Sequence, residues 1–365
     1  MEVITLIQGD RDSHLTPLFL VHAISGTALP YLRLHLLSDE DRPIYGITNP
    51  IHCPNPETFK FPSSLAGLAA FYLDGITRIQ PHGPYLLGGW SMGGMVAMFM
   101  AQILQARGEP VSKVIMIDSA NPEVFPCFTS PEEHREFARA TYEKTVAMVA
   151  MELSAGSAPG SPIPSPVMSD GGFDDYALCR QRRASTWRTW SSESSDCSLF
   201  DSPTSTTPGS PALSSISSDY SDNDDDDEHD ECEEEPGADN CYEYDDVEPP
   251  ALKAFLGQIK LHVHRGLQLI ADVRPGDLFT PHKRSNYAVV LIKCRPDGLL
   301  LRPAHQHHKA EFIMSVMRER SMRWNPGQFR SFETRAFSGD HDGAFAPQYV
   351  GELSSILRDC LADED

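Results

Sequence analysis

The sequence predicts an α/β fold, a mostly parallel twisted sheet with helices on both faces. Two observations point to it. From Thr16 to Pro122 short β-rich runs alternate with helix-length segments, and after a long interruption the strand-like sequence resumes at Tyr287. Strands joined by crossover helices give a parallel sheet covered on both sides. The 365 residues suffice for one large domain with a sizeable core.

The elements follow in order. PLFLVH (residues 17–22) reads as a strand, Tyr31 to Leu37 as a helical segment and PIYGI as the next strand. Ser64 to Gln80, YLLGG, Ser91 to Arg107 and KVIMID continue the alternation. The uncharged stretch from Tyr85 to Ala106, with Gly89 and Gly93 as a G-x-x-x-G, imitates a membrane span. Gly89, Gly93 and Gly94 around a Trp-Ser-Met triplet favour a buried strand, a tight turn and a buried helix instead.

Beyond Pro122 the pattern is helical. Ser130-Pro131-Glu132-Glu133 forms a capping box that opens a helix running to about Leu153. Residues 155–248 are dominated by Ser, Pro, Gly, Asp and Glu. Such a segment cannot offset an ordering cost of roughly 1 to 2 kcal/mol per residue and is expected to be disordered. After Pro249-Pro250, an apolar stripe of Leu252, Phe255, Leu256, Ile259, Val263, Leu267 and Ile270 predicts a second amphipathic helix. YAVVLIKC (287–294) and FETRAF (332–337) return to the sheet, and a helix from about Pro347 to Leu361 closes the chain. The expected division is a core of residues 1–125 and 287–365, interrupted by a helical excursion over 126–286.

Charge narrows the partners. The net charge is −22, with 17 acidic and no Lys or Arg residues in 219–248, so the rest of the chain carries −5. That balance argues against a nucleic-acid binder, which needs a basic face. Eight cysteines without a C-x-x-C pair suit a reducing compartment, and the N-terminus shows no basic region followed by an apolar core. The expectation is a cytoplasmic protein with no membrane partner.

Gly89-Trp90-Ser91-Met92-Gly93 is G-x-S-x-G between a strand and a helix, where a sharp turn presents the serine as a nucleophile. A serine hydroxyl needs a base and the base an orienting carboxylate. His341, in the Gly-flanked loop GDHDG between the last strand and the final helix, is the best-placed base. Asp118, closing KVIMID, is preferred as the acid, with Asp297, three residues after YAVVLIKC, as the alternative. The backbone N–H groups of Met92 and of Ile24, in the loop His22-Ala23-Ile24-Ser25-Gly26, should form the oxyanion hole. His22 reads as a structural residue that hydrogen-bonds locally. His305, His307 and His308 lack a carboxylate or cysteine at ligand spacing, and no metal is expected there. DNDDDDE lacks the glycine of a calcium loop and reads as a solvated charge block.

PLFLVHAISG, PIYGI, GPYLLGGWSMGG, KVIMIDSANP and GDHDGAF together resemble the α/β-hydrolase thioesterases that end polyketide synthases and nonribosomal peptide synthetases or work beside them. The resemblance spans about residues 16 to 125 and 287 to 361. It implies an acid after the strand that follows the nucleophile helix, which favours Asp118, and a helical lid over 126–286, here carrying the acidic insertion. The sequence begins close to the first expected strand and shows no carrier-domain serine motif, so a stand-alone enzyme is expected. Such an enzyme would transfer an acyl chain, polyketide by the resemblance, from the phosphopantetheine of an acyl carrier protein to Ser91 and release it by hydrolysis or cyclisation, without metal or cofactor. A carboxylesterase on free esters and a non-catalytic binding protein of the same fold are the competing readings.

Overall fold

The computed structural model describes residues 2–154, 250–279, 284–296 and 308–362. Seven strands form one sheet: β1 (Ile4–Gln8), β2 (Leu18–Val21), β3 (Ile44–Ile47), β4 (Tyr85–Trp90), β5 (Val111–Ile117), β6 (Ala288–Arg295) and β7 (Ser331–Asp340). Their order is β1-β3-β2-β4-β5-β6-β7; β1 runs antiparallel to β3 and every other pair is parallel. Among the described residues six α-helices accompany them: α1 (Leu65–Ile79), α2 (Met92–Ala106), α3 (Pro131–Ser154), α4 (Pro250–Ala271), α5 (His308–Arg318) and α6 (Val350–Leu361).

Residue alternation along the strands feeds two cores. Phe19, Val21, Leu87, Val114, Met116 and Leu291 join α1 and α2 on one face. Leu18, Leu20, Leu86, Ile115, Ile117 and Ile292 join Tyr31, Leu34, Leu37 and α6 on the other. The apolar stretch from Tyr85 to Ala106 is accounted for by this double coverage: β4 is buried throughout, and α2 lies under it with Val96, Met98 and Met100 inaccessible. No helix among the described residues is long and apolar enough to cross a membrane.

Two elements differ from the sequence reading. β1 precedes the first expected strand; ITLIQ is an edge strand with β3 as its one neighbour and is half-buried at every position, unlike the fully buried β2, β3 and β4. Tyr31 to Leu37 is only a short 3-10 turn over Leu29–Arg33. The chain beyond it is held by the Gln8 side chain instead, whose amide donates to Leu34 O and His35 O at 2.9 and 3.0 Å and accepts from Leu37 N–H at 3.0 Å. A side-chain amide thus supplies bonds that a helix would have made internally.

The two expected helices flanking the insertion are present. Ser130 Oγ accepts from Glu133 N–H at 3.1 Å, while Glu133 reaches back to Thr129 N–H, one residue before the expected partner, at 2.6 Å. Helix α3 packs on α4 through Val149, Ile259 and Val263. The acidic insertion, Asp297, His305 and His307 lie outside the described residues, as does the His308 side chain.

Candidate active site

The strand order reverses between β2 and β4: β3 is laid on one side of β2, and β4 begins growth on the other. The carboxyl ends of such strands diverge and leave a crevice for ligands. Ser91 follows β4 there, with φ 56° and ψ −121°, a conformation that costs on the order of 1 to 3 kcal/mol and persists only when its surroundings impose it. They do. Ser91 N–H donates to Ile117 O at 2.9 Å, and Trp90 N–H donates to Tyr31 Oη, which in turn donates to Val21 O. A Cβ on Gly93 would stand 2.1 Å from Val21 O, so only glycine lets α2 start this close to β2.

Register places the acid. Trp90 pairs with Ile117 and Ile117 with Ile292, so Ser91 and Asp118 leave neighbouring strands at the same level. His341 follows β7, two strands from β5, and arches over the end of β6. Asp340 Oδ1 accepts from Gly343 N–H at 2.6 Å and closes the GDHDG loop as a turn. The resulting chain of hydrogen bonds is continuous: His341 Nε2 lies 3.1 Å from Ser91 Oγ, and His341 Nδ1 lies 2.7 Å from Asp118 Oδ2.

Asp118 is buried, and an isolated carboxylate there would be strongly disfavoured. Its other oxygen accepts from Cys294 N–H at 3.1 Å and faces Lys293 Nζ at 3.5 Å. These donors fix the carboxylate in place, and its Oδ2 accepts from His341 Nδ1, which leaves Nε2 to face the serine. Burial by itself lowers the proton affinity of His341, but the hydrogen bond and charge of Asp118, with Asp342 beside it, outweigh burial and raise the pKa. The side chain keeps 16% of its surface exposed, so the imidazolium is only partly desolvated.

Met92 is the first residue of α2, where backbone N–H groups have no intrahelical acceptor. Ile24, the other expected donor, lines the same cavity as Ser91 and Met92. The loop carrying it is held by three buried histidines, one on each of three consecutive carbonyls. His22 Nδ1 donates to Ala23 O at 2.7 Å, His262 Nδ1 to Ile24 O at 2.8 Å and His52 Nε2 to Ser25 O at 3.0 Å. Since a carbonyl only accepts, each tautomer is fixed. Tyr72 Oη donates to His22 Nε2 at 2.6 Å and accepts from Asn49 Nδ2 at 3.0 Å. The Ala23 carbonyl and the Ile24 N–H belong to one trans peptide and point opposite ways, so the His22 bond turns the Ile24 N–H away from the ring.

Burial lowers His22 to about 4, with a smaller push from His52, and lowers His52 to about 4. It takes His262, with His22 and His52 adding repulsion, well below the ordinary imidazole value. All three are neutral at physiological pH. His22 hydrogen-bonds locally, as its sequence position suggested; His52 and His262 carry no motif, because their role depends on η-turn and lid residues meeting the loop in space. Lys293 is equally invisible in YAVVLIKC.

Above Ser91 lies a cavity of about 190 Å³, lined from the lid by Phe137, Met148, Leu267 and Ile270 and from the core by Met95 and Phe125. It is a mainly apolar chamber opening onto the Ser91–His341–Asp118 line, an arrangement able to bind an acyl chain and activate a hydroxyl toward its carbonyl.

A Thioesterase domain family model matches residues 16–155. Over 378 residues that cover the whole of both chains, the protein is 34% identical to Thioesterase pytI of Aspergillus terreus. The chain belongs to the thioesterase family. Within this family it is also similar, 40% identical over 126 residues, to a stretch of the non-reducing polyketide synthase PKS16 of Cladonia grayi, covering 34% of this chain and 6% of that one. Among solved structures, a four-domain nonribosomal peptide synthetase bound to AMP and glycine is 14% identical with a TM-score of 0.51, over 99% of this chain and 20% of that one. This likeness is one of fold, and it agrees with the α/β-hydrolase architecture.

Proposed function

We propose that this thioesterase takes an acyl chain from a phosphopantetheine thioester onto Ser91 and releases it in secondary metabolism, with an acyl carrier protein or a carrier-bearing synthase as partner. The observation that carries the reading is the unbroken Ser91–His341–Asp118 hydrogen-bond line beneath an apolar chamber. His341 Nε2 takes the hydroxyl proton as Ser91 Oγ attacks the thioester carbon, and the N–H groups of Met92 and Ile24 stabilise the oxyanion. Collapse breaks the C–S bond, and His341 returns the proton to the departing thiol. His341 then deprotonates water, or a hydroxyl of the acyl chain itself, which attacks the acyl-enzyme and frees Ser91. His341 handles every proton in this sequence, and the scheme calls for no cofactor. The similarity to a polyketide synthase segment supports a polyketide acyl chain.

Turnover of N-acetylcysteamine acyl thioesters beside their matched oxygen esters tests the proposal. The expected result is thioester cleavage that disappears in Ser91→Ala. Cleavage of esters alone would assign a carboxylesterase, and a wild-type protein that neither turns over nor labels with a fluorophosphonate would assign a binding role.

A further inference from the structure

Strand β6 outruns its neighbour. Ile117, the last residue of β5, pairs with Ile292, and Asp118 N–H still donates to Ile292 O, while β6 continues to Arg295. Lys293 and Cys294 therefore stand beside the acid that leaves β5. Cys294 N–H and Lys293 Nζ reach the same oxygen, Asp118 Oδ1, at 3.1 and 3.5 Å, and Lys293 is tethered there by a 3.0 Å bond to Cys294 O. A separation of 3.5 Å is the outer limit of a hydrogen bond, so the lysine acts on the acid mainly through charge. The Asp118 side chain is inaccessible and that of Lys293 only 12% exposed, so little solvent screens the pair. Lys293 is not one of the residues lining the chamber, so acyl-chain binding does not account for it.

We infer that Lys293 is a positioning residue that sets the working pH of the base: its charge on Asp118 limits how tightly His341 holds a proton, so that the imidazole is free to take the Ser91 proton near neutral pH. Among the described residues the groups facing His341 are Asp118 from β5, Lys293 and the Cys294 thiol from β6, Asp340 and Asp342 from its own loop, and the Ser91 hydroxyl. Burial keeps the Cys294 thiol protonated, and Asp340 is bonded to Gly343 N–H. Of the nearby cations, Arg295 bonds to Tyr349 Oη and Lys144 of α3 stands 4.0 Å from Asp342, whereas Lys293 bears on the acid itself. Burial and Lys293 weaken proton binding by His341; the hydrogen bond and charge of Asp118 and the charge of Asp342 strengthen it. Without Lys293 the whole charge of Asp118 would bear on the imidazolium, and His341 would stay protonated to higher pH. This inference rests on the proposed roles of Ser91, Asp118 and His341 and adds the residue that sets their working pH.

The test follows two rates against pH in the full chain: kcat/KM for the N-acetylcysteamine thioester of decanoate, and labelling of Ser91 by a fluorophosphonate. The variants are Lys293→Met, Lys293→Gln, Lys293→Arg and Asp342→Asn. In Lys293→Met the inflection of both profiles should lie about 0.5 to 1 pH unit higher than in the wild type. Well below the inflection that shift slows the enzyme about three- to tenfold, and most of the loss should be recovered in alkali with KM little changed. Lys293→Gln, which keeps donors toward Asp118 without the charge, should move the inflection as Met does, and it carries the same readout if Lys293→Met fails to fold. Lys293→Arg should hold the inflection near the wild-type value, and Asp342→Asn should move it to lower pH. Variants at 293 that lose rate equally at every pH, with the inflection unmoved, would assign the lysine a structural role and overturn the inference. An inflection in Lys293→Arg that moves with those of Met and Gln would overturn it also, since charge would then not be the cause. Labelling reads the inflection whichever ester the enzyme prefers, so labelling without thioester cleavage overturns the thioesterase reading alone. A wild type that never labels overturns both.

Discussion

At the scale of single residues, the proposed chemistry depends on which nitrogen of His341 carries a proton. Asp118 imposes that choice through its 2.7 Å bond to Nδ1. Asp118→Asn keeps the shape but stabilises the wrong tautomer, and kcat is expected to fall by about 10⁴ with little change in KM. The pH profile separates tautomer from charge. The proposed mechanism requires neutral His341, so the rate should rise with pH through its pKa, and the inflection should lie above the ordinary imidazole value of about 6.5. In Asp118→Asn the hydrogen bond to a carboxylate and the charge of Asp118 are lost and only Asp342 still raises the pKa, so the residual activity should show its inflection at lower pH. An inflection that does not move would mean that Asp118 does not set the base.

At the scale of elements, the lid and the sheet meet at the loop that carries Ile24. Gly266 of α4 lies against Ile24 and Met92, and His262 of the same helix holds the Ile24 carbonyl. His262→Leu strands that buried carbonyl and should cost about 1 to 3 kcal/mol of stability together with a fall in kcat. His262→Asn, which keeps a donor near Nδ1, should recover most of both. Denaturant midpoints and kcat on the same preparations check this, and equal losses in the two variants would remove the hydrogen bond from the account. This junction also marks the boundary of what the sequence makes legible. Ser91, Asp118 and His341 sit at strand ends, the first and last of them between glycines, where a local pattern and an element boundary coincide. The parallel strands are readable for a similar reason, being short apolar runs between helices. His52 and His262 lie 210 residues apart in a chain whose spacing says nothing of their meeting.

At the scale of the whole molecule, three buried neutral histidines make folding sensitive to acid. Their folded pKa values lie below those of the unfolded chain, so the unfolded state binds more protons between about 6.5 and about 4. Stability is therefore full above about 6.5 and is lost as pH falls toward 4, by about 3 kcal/mol for each of His22 and His52. His341, with its raised pKa, acts in the opposite sense: its contribution is present below the unfolded pKa and declines as pH rises through the folded one. Urea unfolding across this range should show a steep acid loss that is shallower in His52→Asn. An unchanged slope in that variant would show that other groups set the acid limit. The net charge of −22 adds a separate influence, since the 17 acids of residues 219–248 dominate it while the rest of the chain stays near −5.

The most direct measurement is the covalent intermediate itself. An acyl-phosphopantetheine thioester mixed with the protein and quenched in acid should leave one acyl mass, mapped by peptide sequencing to Ser91, that is absent in Ser91→Ala and accumulates far more slowly in His341→Ala. Product formation at wild-type rate with no acyl group on Ser91, or an acyl group on another residue that turns over in Ser91→Ala, would contradict the account.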